Sequence, residues 1–147
     1  MITYEIGGIE LIDKMKELWE AQRDYHGEVS THFADKFYKM DFESRKKSLV
    51  KSSKKLKFVL AKDTEYIGFC ISTLDSKHVG EVFSLYVNPD YRGLSIGVDL
   101  MTSSLEWMKE QNAIKIHLSV AEGNEGTYKF YEKFGFYPYT TSFEIKE

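Results

Sequence analysis

Apolar and polar positions recur along this chain with two different periods, and the switches between them mark out its elements. Residues 2–6 form a short run closed by Gly7 and Gly8, which predicts a first strand. In residues 9–25 the apolar Leu11, Ile12, Met15, Leu18 and Trp19 recur every three or four positions, the stripe of an amphipathic helix that Gly27 is set to interrupt. Residues 33–50 repeat that spacing with Phe33, Phe37, Met40 and Leu49, broken near Asp41. The pattern then changes. Residues 56–61, 66–74 and 79–87 read as three strands, and the short polar links 62–65 and 75–78 imply antiparallel neighbours. Ile96, Leu100, Leu105 and Met108 restore the helical stripe as far as residue 112, and residues 114–120 return as a strand, which predicts a right-handed strand-helix-strand unit. A last helix over 124–134 stops at Gly135, a residue suited to the left-handed turn that ends helices, and 139–145 supplies a final strand.

Composition narrows the picture. With 147 residues, 42% apolar and 29% charged, the chain reads as one globular domain, residues 1–147, large enough to bury a core without staples. The single cysteine, Cys70, excludes an internal disulfide, suits a reducing compartment, and sits in an apolar run where a buried structural thiol is expected. No stretch approaches the ~18 consecutive apolar residues of a membrane span. Residues 1–5 lack the basic-then-apolar layout of a leader, so a cytoplasmic location with no membrane partner is expected.

A net charge of −3 gives no overall pull toward nucleic acid, and no nucleic-acid partner is expected. One local exception stands out: Arg45, Lys46, Lys47, Lys51, Lys54, Lys55 and Lys57 occur with no acid between Ser44 and Lys62, either a solvated helix face or a phosphate-attracting patch. His26, His32, His78 and His117 have no metal-ligand spacing, so no metal is expected, although His117 is a second candidate base. A serine elbow, a Cys–His pairing and a nucleotide-binding lysine loop are all missing.

The chemistry concentrates after residue 81. An apolar strand through Leu85, Tyr86 and Val87 meets the Asn88-Pro89 turn, then Arg92, Gly93, Leu94, Ser95, Ile96, Gly97 and Val98 lead into a helix. Backbone N–H groups at a helix start lack intrahelical partners and carry the positive end of its dipole, so they point at an anion. Arg92 adds a fixed charge with a forked donor.

The run from Arg92 through Gly97, together with Asn124 and the segment Phe130-Tyr131-Glu132-Lys133-Phe134-Gly135-Phe136, resembles the GCN5-related N-acetyltransferase superfamily, also called GNAT. In the first motif Ser95 stands where that family has a glycine; a Cβ there costs on the order of 1 kcal/mol if the backbone needs a positive φ. The resemblance implies an α+β fold in α/β/α layers: a mixed, mostly antiparallel sheet of six to seven strands, about four helices, and a splayed parallel strand pair. It implies acetyl-CoA as cosubstrate. The pyrophosphate would take N–H groups from Arg92, Gly93, Leu94, Ser95, Ile96, Gly97 and Val98, and the backbone of Leu85 and Val87 would pair with the pantetheine.

Tyr86, on the other side of that strand, is a candidate for the substrate pocket or for aromatic packing. Asn124 is a candidate for capping the last helix and for hydrogen-bonding the cofactor, two compatible roles, and Tyr128 for flanking the cofactor or for core packing. The resemblance gives Glu81 the role of general base, with a surface or strand-edge glutamate as the alternative, and Tyr131 that of proton donor to the leaving sulfur, with an aromatic core as the alternative. The acceptor would meet the first two helices and the C-terminal strands, near Tyr25, His26, Glu28, His32, Phe33, Tyr137 and Tyr139. The activity implied is acetyl transfer to a primary amine of a small molecule or peptide by direct attack, in a monomer or homodimer. The alternative is a catalytically idle acyl-CoA-binding module of the same fold.

Overall fold

Five strands form one mixed sheet in the order β1 (Thr3–Gly7), β2 (Lys55–Lys62), β3 (Tyr66–Leu74), β4 (Val79–Val87) and β5 (Lys115–His117). The structure is a computed structural model describing residues 1–147, and the chain divides into two compact units: residues 1–22 with 41–118, and residues 23–40 with 119–147.

The sheet belongs to the first unit. Neighbours from β1 to β4 pair antiparallel, as their short polar links require, and only β4 and β5 run parallel. Helix α4 (Ile96–Glu110) connects those two and packs across β2, β3 and β4. Strand β3 is buried almost throughout, and its alternation divides its side chains between two faces. Gly68 and Ser72 meet α4, with Ser72 Oγ 2.5 Å from Ser104 Oγ, while Phe69 and Ile71 are buried on the opposite face. Cys70 lies beside the serine pair, fully buried, and that burial pushes its thiol up to about 12, which makes it structural rather than nucleophilic.

Chain entry into this core is local. A 3₁₀ turn, Ile9–Met15, buries Leu11, Ile12 and Met15 and runs into α1 (Lys16–Val29). Trp19 of α1 meets the edge of Phe42 with ring centres 5.6 Å apart, and each such buried side chain contributes roughly 1.5–3 kcal/mol. The expected break at Asp41 is a helix cap: its carboxylate accepts the Ser44 N–H at 3.0 Å and separates α2 (Ala34–Tyr38) from α3 (Phe42–Lys51).

In the second unit, Glu122 accepts from the Ser30 hydroxyl and from the Thr31 N–H, and Gly123 adopts φ +94 against the Val29 carbonyl. A 3₁₀ turn at Glu125–Thr127 leads into α5 (Tyr128–Glu132), and Gly135, at φ +88, ends that segment as expected.

Four expectations need correction. Gly27 does not interrupt α1; the helix continues to Val29, and the missing Cβ makes room for the Tyr38 ring. The anticipated break at Asp41 separates two helices, so the chain has five α-helices rather than about four. Strands number five rather than six or seven, because 139–145 pairs with nothing and leaves Tyr139, Phe143 and Ile145 at 96%, 95% and 87% exposure. Strand propensity expresses packing on a pleated surface, and an alternating run without a partner strand gains none of it. The expected strand 114–120 is also only three residues long, which matters at the site.

Candidate active site

β4 carries the geometry on which the site depends. Ile71 pairs with Ser84 but Ser72 pairs with Val82, so Phe83 is an extra residue, a β-bulge. Cross-strand partners share a face, and Phe69, Ile71 and Thr73 alternate on one face of β3. Their partners Tyr86, Ser84 and Glu81 therefore share a face too. Without the bulge, strict alternation would have set Glu81 against Ser84 and Tyr86.

Pairing with β5 stops just before the bulge. Its last pair is Glu81 with His117, and β4 continues to Val87 with no β5 residue opposite. Main-chain groups of Leu85 and Val87 are thus left outside the ladder. Two side chains reach them: Gln22 Nε2 donates to the Leu85 carbonyl at 3.0 Å, and Arg92 Nε donates to the Val87 carbonyl at 3.3 Å. Gln22 also accepts from Ser84 Oγ at 2.9 Å, which locks its amide on the strand. Beyond Val87, Asn88 caps a 3₁₀ turn, Pro89–Tyr91, by accepting the Asp90 N–H. The Tyr91 hydroxyl donates to Asp63 at 3.0 Å and ties this turn to the β2–β3 link.

The loop that follows is exposed and open. Gly93 adopts φ +84, and a Cβ there would meet nothing within 4 Å. Ser95 adopts φ +63 and ψ +13, the left-handed region, and its side chain makes no cap bond. The departure from glycine is therefore a strained one, on the order of 1–2 kcal/mol. The first helical bond of α4 is Asp99 N to Ser95 O, so the N–H groups of Ile96, Gly97 and Val98 have no intrahelical acceptor. An anion fits this open set of donors with Arg92 nearby. One acid stands in the same turn: Asp99, which accepts from Tyr4 at 2.6 Å. Burial, reinforced by that bond and by the Asp99 charge, pushes the Tyr4 hydroxyl up to about 12.

The remaining candidates belong to the second unit. Tyr131 lies on α5 in an edge-to-face cluster with Phe130 and Phe136, at 5.3 and 6.5 Å, and Tyr128 opens the same helix. Asn124 caps through its backbone alone; its carbonyl accepts the Thr127 N–H and hydroxyl. His26 packs between Tyr25 and Phe37, and burial lowers its pKa. Phe33 is half-buried, with its N–H donating to Ser30 Oγ, and Glu28 is exposed. Tyr137 and Tyr139 are exposed side chains.

The chain matches the acetyltransferase (GNAT) family over residues 12–136. It belongs to that family. GNAT relatives include an uncharacterised N-acetyltransferase of Methanocaldococcus jannaschii, 33% identical over 45% of this chain and 29% of that protein. Another, from Archaeoglobus fulgidus, is 33% identical over 63% of this chain and 67% of its own length. The chain thus spans less than a third of the first of these relatives and about two thirds of the second. Among solved structures, the PaiA N-acetyltransferase of Thermoplasma acidophilum in complex with coenzyme A superposes with a TM-score of 0.76 at 21% identity, covering 97% of this chain and 93% of that one. That likeness is one of fold.

Two residues that contact β4 at and beyond its bulge were not among the sequence candidates. Gln22 carries no signal, since one glutamine on an amphipathic helix looks like any other. Arg45 was hidden in the basic run, which the fold disperses: Lys46 pairs with Asp13, Lys55 bonds Gln111, Lys57 bonds Ser103, and Arg45 stacks on Phe83 with its guanidinium 5.0 Å from the ring centre. No helix is long and apolar enough to cross a membrane.

Proposed function

We propose that residues 1–147 act as one acetyltransferase domain that moves the acetyl group of acetyl-CoA onto a primary amine in a ternary complex. The observation that carries this reading is the bulged end of β4, unpaired by β5 and leading directly into a loop of open N–H donors. An extended amide-bearing chain can pair with such a strand end while its phosphates sit at the helix start.

In this reading the N–H groups of residues 92–98 and the Arg92 side chain take the pyrophosphate. Main-chain groups of Leu85 and Val87 face the pantetheine, and the Val87 N–H serves the oxyanion. Tyr86, Tyr25, His26, Glu28 and Phe33 belong to acceptor binding, and Asn124 and Tyr128 to cofactor binding. Glu81 accepts a proton from the ammonium, with His117 as its neighbour across the ladder. The amine nitrogen then attacks the acetyl carbonyl, the C–S bond breaks, the Tyr131 hydroxyl donates its proton to the sulfur, and the nitrogen gives up its extra proton to solvent, from which Tyr131 is reprotonated. A phenol titrates near ~10 and a thiol near ~8.5, so that transfer is uphill by roughly 2 kcal/mol, small against an acyl-transfer barrier.

Calorimetry with acetyl-CoA and a thiol-release assay over a panel of amines test the reading. Acetyl-CoA should bind, and Arg92→Ala should weaken it about tenfold or more; an unchanged dissociation constant removes the pyrophosphate assignment. Tyr131→Phe should lower kcat by about 10²-fold with little effect on cofactor affinity. Binding of acetyl-CoA without thiol release for any amine favours the idle acyl-CoA-binding module instead.

A further inference from the structure

Arg45 is the charged group at β4 that the roles above leave unused. It sits one turn into α3, where its N–H bonds the Asp41 carbonyl at 3.1 Å and the Asp41 cap fixes the helix start. Its side chain is half-buried and stacked on the bulge residue Phe83. A guanidinium carries five N–H donors, and this one makes no hydrogen bond or ion pair within the protein; stacking on the ring is its contact. The one carboxylate whose charge acts on it is Glu81, which forms no ion pair with it. Burial lowers its pKa, with the Glu81 charge opposing that shift.

A planar guanidinium laid on an aromatic ring has one geometry it serves well, bidentate capture of a carboxylate or phosphate. The ring beneath it, Phe83, is the bulge residue of β4 and stands two positions from the candidate base Glu81. We propose that the acceptor amine carries an anionic group, carboxylate or phosphate, which seats on Arg45 while its amine faces Glu81. This inference rests on the acetyl-transfer reading above. The two charges, one positive and one negative, complement an amine whose two ends carry the opposite signs. A simple monoamine or a polyamine would leave Arg45 unpaired and would add a like charge near it.

Three acceptors of similar size test the assignment: propylamine, 3-aminopropanoate and 2-aminoethyl phosphate, each assayed with acetyl-CoA. At least one anionic amine should show a kcat/KM about tenfold or more above propylamine, and the better of the two identifies carboxylate or phosphate as the partner. Arg45→Gln should erase that preference through KM, leaving kcat within about twofold and propylamine unaffected. Arg45→Lys should keep part of it and guards against a folding defect in the glutamine variant. Propylamine matching or exceeding both anionic amines in the unmodified protein overturns the proposal, as does an equal loss for all three in Arg45→Gln.

Calorimetric binding of the same amines to the protein with coenzyme A separates the two readings. If no amine turns over, acetyl transfer fails as the function. The Arg45 assignment then stands where an anionic amine binds and Arg45→Gln abolishes it, and falls where none binds or the variant binds equally.

Discussion

The two units hold themselves together by different means. Every buried apolar side chain, from Leu11 to Met108, lies in the first unit, whereas in residues 23–40 and 119–147 only Gly27 is buried. The second unit relies on ring edges, the Ser30–Glu122 and Lys36–Glu144 contacts, and close backbone approach at Gly123. Burial of apolar area is the larger stabilising term, so the first unit is a rigid frame for the β4 strand and its loop. The second should open locally at far lower free energy, a property common in elements that bind and release ligands.

The difference is open to direct attack. Phe69→Ala, at a fully buried central position, should cost about 3–5 kcal/mol in urea unfolding. Phe130→Ala, in the half-buried aromatic cluster of α5, should cost about 1–2 kcal/mol, and equal costs would break the comparison. Next in size is a pair of glycines with similar φ. Gly123→Ala places a Cβ on the Val29 carbonyl and should destabilise by about 2–4 kcal/mol, whereas Gly93→Ala meets open space and should lose only about 1 kcal/mol. A cost at Gly93 as large as that at Gly123 would show that the loop is packed rather than open.

Smaller still, and of opposite sign, is Ser95→Gly. It removes a Cβ from the left-handed region and should stabilise by up to about 1 kcal/mol, read as a higher Tm, without weakening acetyl-CoA binding. A lower Tm would mean that the serine side chain contributes more than its backbone strain removes.

Acid should act on the second unit first. Burial depresses the His26 pKa below its ordinary value of 6.5, so the unfolded form takes up the proton more readily and stability is lost as pH falls through that region. The Ser30 hydroxyl and the backbone N–H groups of Thr31 and His32 hold Glu122 below the ordinary carboxylate value, so its contribution is lost as pH falls through that depressed value. Both shifts have the same sign. Through His26, hydrogen-exchange protection factors in residues 23–40 should drop between pH 7.5 and 5.5 while those of β3 hold, His26→Gln should flatten that change, and the Glu122 contribution is lost only at lower pH. Parallel loss in β3 would mean that the units unfold together.

Much of the frame was legible because its signals are local. The three central strands, the Asp41 break, the start of α4 and the Gly135 stop each follow from periodicity or cap chemistry over a few residues. The failures came where a partner decides. Residues 139–145 alternate like a strand but lack a neighbour, and Gly27 looks like a breaker until the Tyr38 ring fills the space it leaves. Within the candidate site, the turn and helix start around Arg92 were readable because their chemistry is contiguous in the chain. Gln22 and Leu85 are 63 positions apart, and no local pattern links them.

By itself the sequence determined the order of elements, the donor loop and the question of Ser95, since each depends on neighbours along the chain. Only the tertiary structure decided the answers. Ser95 is left-handed because the turn must enter α4 there; Glu81, Ser84 and Tyr86 share a face because one bulge shifts the pleat by a residue; and Arg45 leaves the basic run because Phe83 offers it a ring. A strand's phase and a charge's surroundings are set by what lies across the sheet, which no one-dimensional pattern contains.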